Sequence, residues 1–188
     1  MLVAMNILAL NGRESRSDRG AGGSRGAGGV GGSAEVMTAE FQQGRYTVST
    51  AQERLDVDAV HGFLRRSSWA PRRTRETVVK SIANSLCYGI YDEQTRAQVG
   101  FARVVTDYCT FAYLCDVFVD ESHRGRGLSK WLMSCIMQHP ELRSLRHFLL
   151  ATKDAHGLYA RYGFAPVPGE RWMEKRLPTQ AWSAADEK

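Results

Sequence analysis

The chain has 188 residues, which is enough for one domain of ordinary size and a terminal extension. Hydrophobic residues make up 43% and charged residues 24%, and these fractions exclude a fully disordered, collagen-like or coiled-coil protein. The formal charge of +5 suits an anionic small ligand or a nucleic acid and does not choose between them.

Residues 1–44 are predicted to form a flexible tail. Eight of the eighteen glycines fall between residues 20 and 32, where few apolar side chains offset the backbone entropy that glycine loses on ordering. The apolar start lacks the basic residues and the cleavage site of a signal peptide, so none is expected. Met37 is an alternative start that would leave residues 1–36 outside the natural protein. The folded domain is expected over residues 45–188.

The predicted elements begin with a strand at 46–49. A helix capped by Ser49 or Thr50 follows and ends near Arg66, and Thr74 is expected to cap a second helix. The next elements are three strands and a helix, predicted at 86–91, 98–105, 111–119 and 128–138.

Three further elements complete the prediction. The continuous apolar run 148–151 is typical of a central strand buried on both faces. A short helix is predicted over 156–162 and a last strand over 171–177. The order β-α-α-β-β-β-α-β-α-β predicts an α+β domain, with a mixed central sheet and helices on both faces.

The turn between the third long strand and its helix carries the most informative pattern. It contains Gly125 and Gly127, which permit positive φ, and a helix begins at once. The unpaired N–H groups of a first helical turn carry about half a positive charge. Arg124, Arg126 and Lys130 lie nearby in the sequence, so the turn favours a phosphate or pyrophosphate site. The alternative interpretation is an ordinary tight turn whose basic residues are solvated. The Walker and Rossmann glycine patterns are both incomplete.

This turn resembles motif A of the GNAT-superfamily N-acetyltransferases, written Q/R-x-x-G-x-G/A. Arg124 matches its first position and Gly127 its fourth, whereas Ser129 stands where Gly or Ala is usual. Leu158 to Phe164 resembles a second family signature, F/L-Y-x-x-x-G-F. The resemblance implies a GNAT fold with acetyl-coenzyme A as co-substrate. It assigns the pyrophosphate to Arg124, Gly125, Arg126, Gly127, Leu128 and Ser129.

The resemblance also implies how the rest of the co-substrate is held. The strand before motif A is expected to splay from its neighbour, so that the backbone of Val117, Phe118 and Val119 binds the pantetheine arm. Tyr159 matches the family tyrosine that protonates the leaving thiolate. A phenol with an ordinary pKa of about 10 is protonated at neutral pH and can donate. The alternative for Tyr159 is a buried aromatic of the core.

Residues 113–119 resemble the polyamine acetyltransferase pattern Leu-Glu-Asp-x-Phe-Val. Cys115 replaces the Glu and Asp116 matches the Asp. Asp116 is therefore predicted to anchor the substrate ammonium or to act as a base through water, against the alternative of a structural carboxylate. Alternation places Cys115 and Asp116 on opposite faces unless a β-bulge intervenes. Lesser candidates are Asp107, Asp154 and His156.

The leading hypothesis is direct transfer of an acetyl group from acetyl-coenzyme A to a primary amine of a small molecule or peptide. The missing Glu keeps open a non-catalytic acyl-coenzyme A-binding module. The basic domain and the Gly/Arg tail keep open a nucleic-acid binder, the least favoured of the three. We expect no nucleic-acid or membrane partner and no metal, because the four cysteines form no C-x-x-C pair. We expect a cytoplasmic protein, and a homodimer is one assembly open to it.

Overall fold

A computed structural model describes residues 38–169 and 172–175. In that part of the chain, six strands and four α-helices follow one another, joined by short 3₁₀ turns. In chain order they are β1 (Glu40–Gln43), β2 (Tyr46–Ser49), α1 (Val57–Arg66), α2 (Arg75–Ala83), β3 (Leu86–Asp92), β4 (Ala97–Thr106), β5 (Phe111–Val119), α3 (Leu128–Gln138), β6 (His147–Leu150) and α4 (His156–Tyr159).

The six strands form one mixed sheet in the order β1-β2-β3-β4-β5-β6. Neighbouring strands are antiparallel except for β5 and β6, which run parallel. The long connection through α3 makes this parallel pairing possible, because parallel strands need a crossover. The α+β class with a mixed sheet is confirmed.

Helices cover both faces of the sheet, as predicted. On one face, α1 and α2 place Val60, Leu64, Val78 and Ile82 over Cys87 of β3 and over Phe101 and Phe118. On the other face, α3 and α4 pack on the larger cluster, which includes Tyr88, the neighbour of Cys87. Strand alternation therefore assigns each residue of β3 to one of two cores.

Two strand predictions need correction. β1 lies inside the segment predicted as a flexible tail, and its pairing with β2 brings the start of the sheet forward to Glu40. The run 148–151 was expected to be central and buried on both faces, but among the described residues β6 stands at the end of the strand order, and its residues are exposed or half-buried. An apolar run shows that one face is covered, and it does not show how many neighbours the strand has.

Helix capping is partly as predicted. The Thr74 hydroxyl accepts a hydrogen bond from the Thr77 N–H at 3.2 Å, which confirms it as the cap of α2. The cap predicted for α1 at Ser49 or Thr50 is wrong, because a 3₁₀ turn at Gln52–Arg54 intervenes. Asp56 caps this helix instead.

The chain ends contain predictions that the structure does not address. Residues 1–37, with the glycine-rich stretch and Met37, lie outside the described residues. Of the last predicted strand, the described residues 172–175 are not in a strand, and the others lie outside the described part. None of the helices described is long and apolar enough to cross a membrane.

Candidate functional site

A gap opens in the sheet where β5 and β6 part. The two strands pair from Phe111 opposite His147 to Leu114 opposite Leu150. β6 ends there, whereas β5 continues to Val119. Within the described part of the chain, no strand covers this edge of residues 115–119. Apart from the Val119 carbonyl, which accepts a hydrogen bond from Arg124, its N–H and C=O groups are therefore available to an extended ligand. The end of the strand pairing agrees with the predicted splay.

The three residues predicted to bind the pantetheine arm lie along this edge. Phe118 is buried on the α1 side, where its ring stacks on Phe63 with centroids 3.7 Å apart. Val117 and Val119 pack on the opposite side, against the core beneath α3. Because the three side chains belong to the cores, only their main-chain groups face the gap.

The glycine turn leads from β5 into α3. Gly125 and Gly127 adopt left-handed conformations with φ of 77° and 78°. The first hydrogen bond of α3 runs from the Trp131 N–H to the Gly127 carbonyl at 3.0 Å. The N–H groups of Leu128, Ser129 and Lys130 therefore have no acceptor within the helix. Since no acidic residue lies in this first turn, the helix end keeps its partial positive charge.

Three basic residues flank these amides along the chain. Arg124 donates from its Nε to the Val119 carbonyl at 3.1 Å, which ties its guanidinium to the end of β5. Its Nη1 lies 3.5 Å from a Glu121 carboxylate oxygen. Arg126 and Lys130 are exposed. The structure thus brings the predicted pyrophosphate residues together in one loop, whereas their contact with a ligand stays a prediction.

Leu128 and Ser129 take different places in this loop. The Leu128 side chain is buried in the core under α3, so its amide alone is available to a ligand. Ser129 is half-buried at the start of the helix. The loop and the free edge of β5 are contiguous, and together they form a track that suits a diphosphate followed by a thin amide-bearing arm.

A β-bulge interrupts β5 within the free edge. Phe101 of β4 pairs with Phe118 and Arg103 pairs with Cys115, so one residue of β4 faces two of β5. Asp116 occupies the bulge with a φ of 53°, a left-handed conformation that Asp tolerates better than most residues. The bulge places Cys115 and Asp116 on the same face, the exception that the sequence analysis left open.

Asp116 is almost fully buried and its carboxylate is occupied. Its Oδ2 accepts a hydrogen bond from Arg73 Nη1 at 2.6 Å and another from Arg103 Nε at 2.9 Å. Arg103 also donates from Nη1 to the Ser85 hydroxyl at 3.2 Å. This pairing favours the structural alternative over an ammonium anchor or base, because two guanidinium groups already compensate the carboxylate.

Cys115 is unsuited to replace the missing glutamate. Burial raises the pKa of the thiol to about 11, with smaller opposing effects of the Arg103 and Asp116 charges. Its Sγ lies 3.6 Å from the Arg103 carbonyl, a distance that fits a weak S–H donor. The thiol is protonated at neutral pH and is neither a base nor a nucleophile.

Tyr159 is the last residue of α4. The ring is buried and packs edge-on against Phe164 with centroids 6.1 Å apart. Burial raises the pKa of the phenol, and the nearby Asp154 carboxylate raises it further. The hydroxyl is therefore protonated at neutral pH. Tyr159 lines a cavity of about 610 Å³ that also borders Leu150 and Thr152, at the end of β6.

The lesser candidates are placed differently. His156 lines the same cavity as Tyr159. Asp107 accepts hydrogen bonds from the Thr110 hydroxyl and from the Thr110 and Cys109 amides within its own turn, and these bonds hold the pKa of its carboxyl well below its usual range. In residues 38–169 and 172–175, no group of three or more His, Cys, Asp or Glu side chains could hold a metal ion.

Known proteins share this architecture. A family model described as "Acetyltransferase (GNAT) domain" matches residues 83–166. A crystal structure from Xanthomonas campestris, of a protein assigned to the GNAT family, is 47% identical and covers 73% of this chain and 96% of its own, with a TM-score of 0.69. The chain belongs to the GNAT family of acetyltransferases.

Two more distant matches are named as acetyltransferases. A Gibberella zeae protein named as an acetyltransferase is 28% identical over an alignment of 138 residues, and the match covers 63% of this chain and 78% of that protein. A protein from Clostridium acetobutylicum, crystallised with acetyl-CoA, is 14% identical and covers 70% of this chain and 95% of its own. Its TM-score of 0.50 shows the shared fold alone.

The GNAT motifs identified the loop and the tyrosine, but they did not identify the partners of Asp116. Arg103 is a charged residue in an otherwise apolar stretch of β4, which is a signal for a buried ion pair. Arg73 belongs to a run of arginines, and nothing in the sequence distinguishes it from its neighbours.

Proposed function

We propose that this acetyltransferase moves the acetyl group of acetyl-CoA directly to a primary amine of a small molecule or peptide. The observation that carries the proposal is the continuity between the free edge of β5 and the open amides at the start of α3. The edge matches an extended arm with amide groups, and the helix start matches a diphosphate. Arg124, Arg126 and Lys130 supply matching positive charge.

The residues present fit this co-substrate. Gly125 and Gly127 adopt left-handed conformations, and an added Cβ at either position would meet nothing within 4 Å. The loop is therefore open to a bulky phosphate. On this proposal, the backbone of residues 115–119 holds the pantetheine arm, and the thioester lies between the bulge and Tyr159.

The proposed transfer is a single exchange of bonds. The acceptor nitrogen forms a bond to the acetyl carbon as the carbon–sulfur bond breaks. The Tyr159 phenol donates a proton to the departing thiolate and the amine loses a proton to water, so charge and atoms balance. Neither Cys115 nor Asp116 takes that proton, because the thiol is protonated and the carboxylate is paired.

A second candidate is an acyl-CoA-binding module without activity. The lack of a free carboxylate on β5 beside the bulge is the observation that favours it. Both candidates predict binding of acetyl-CoA, and only the first predicts turnover.

The test measures both properties with the purified chain. Calorimetry with CoA measures binding, and a thiol reagent measures CoA release from acetyl-CoA over a panel of amino acids, polyamines, aminoglycosides and peptides. Amine-dependent thiol release with mass-spectrometric detection of an acetylated amine supports the proposal. Binding without release over the whole panel supports the module, and no binding overturns both.

A further inference from the structure

The bulge of β5 is joined to two other elements through one carboxylate oxygen. Asp116 Oδ2 accepts from Arg73, in the segment between α1 and α2, and from Arg103 on β4. The Asp116 side chain is 3% exposed, and the side chains of Arg73 and Arg103 are 11% and 13% exposed. The cluster is therefore largely shielded from water. Charge-assisted hydrogen bonds are stronger in such a shielded environment than in water.

The bulge itself does not explain why Asp116 keeps a left-handed conformation. A residue with φ of 53° is strained unless its surroundings hold it there. Arg103 donates to the carboxylate from β4, the strand that pairs with β5, and Arg73 donates to it from the segment between α1 and α2. Together they fix the side chain from two directions, and through it the main chain of the bulge.

We propose that Asp116 is a positioning residue for acetyl transfer. With Arg73 and Arg103, it holds the bulge in the conformation that presents the free edge of residues 115–119 to the thioester. It touches neither the acceptor nitrogen nor its proton. This inference rests on the proposed function, because it assigns the same gap to acetyl-CoA.

The test compares CoA binding and pH dependence across a small set of variants. Asp116→Asn keeps a residue that tolerates left-handed φ but removes the charge. Arg73→Gln removes one of the two guanidinium groups, and Arg73→Lys keeps a cation. Arg72→Gln is the matched control, because Arg72 is an exposed neighbour with the same charge.

We expect Asp116→Asn and Arg73→Gln each to weaken CoA binding about tenfold, because the competent bulge is then only partly populated. The double variant should bind no more weakly than Asp116→Asn alone, since both changes break the same contact. Arg73→Lys should recover part of the affinity, and Arg72→Gln should bind as the wild type does. The pH–rate profile of Asp116→Asn should keep its acidic limb at a lower amplitude.

Other outcomes overturn the inference in distinguishable ways. Unchanged CoA affinity with loss of the acidic limb in Asp116→Asn would make the carboxylate a base. Additive losses in the double variant would show that the two residues act separately. If Asp116→Asn fails to fold by circular dichroism, Arg73→Gln and Arg73→Lys decide the matter. A wild-type chain that does not bind CoA refutes the proposed function first, and this inference with it.

Discussion

Gly127 is the residue at which the loop conformation can be tested most directly. Its φ is 78°, and a Cβ built there would meet no atom within 4 Å. Gly127→Ala therefore adds backbone strain without a steric clash. Left-handed φ costs an L-residue about 1–2 kcal/mol, and the lower entropy of the unfolded Ala chain offsets about 0.4–1 kcal/mol of this. We expect a net loss in the free energy of unfolding of about 1 kcal/mol.

Thermal and urea unfolding measure this loss, which corresponds to a fall in Tm of about 3 °C for a chain of this size. Gly157→Ala is the matched control, because Gly157 also has nothing within 4 Å of an added Cβ but lies in α4 with helical φ. There the same change should be neutral or stabilising by about 0.5–1 kcal/mol. If the two variants unfold alike, or Gly127→Ala unfolds as the wild type does, the left-handed conformation at the start of α3 is not what the glycine supplies.

Three further predictions concern single side chains. Arg124→Glu should weaken acetyl-CoA binding about tenfold at low salt and less at high salt, whereas Arg143→Glu, the same reversal beyond the other end of α3, should leave it unchanged in calorimetry. Tyr159→Phe should lower turnover about 100-fold with little change in CoA affinity. Tyr88→Phe, which removes a buried hydroxyl that has no hydrogen-bond partner in the described residues, should leave turnover unchanged; equal turnover of the two variants would remove the general-acid role. Burial lowers the pKa of His139, so His139 binds a proton less readily in the folded chain than in the unfolded chain. Stability should therefore be fully present above pH about 6.5 and fall by at most about 1.4 kcal/mol per pH unit as the pH drops below it. His139→Phe should flatten this part of the urea-unfolding profile, and an identical profile would show that His139 does not cause the slope.

Local elements of the fold follow closely from the sequence. The bounds of β5 and α3 agree with the prediction, because alternation along one strand and helical spacing along one helix are properties of neighbouring residues. The glycine turn was recognised from its glycines and the helix that follows, whereas Tyr159 was singled out only by its match to a family signature. The place of β6 at the end of the described sheet and the pairing of β1 with β2 could not be predicted from local patterns, because they depend on which strands lie side by side.

Asp116 shows the same difference between what local sequence and what tertiary contacts reveal. From the sequence, Asp116 is a carboxylate next to a lost glutamate, and an active role is the natural hypothesis. Its partner Arg73 is 43 positions away, and the bulge that turns Asp116 toward it depends on a mismatch between two strands.

The sequence alone determined the α+β class, the family resemblance and the glycine turn, and through the resemblance it gave Tyr159 as a candidate acid. These features depend on short runs of residues, whose types and spacing are visible without the fold. Tertiary structure alone decided that Asp116 is held by two arginines, that Cys115 shares its face, and that β5 keeps a free edge beside α3. Those features arise from contacts between distant segments, which form only when burial of two separate cores brings the strands and helices together.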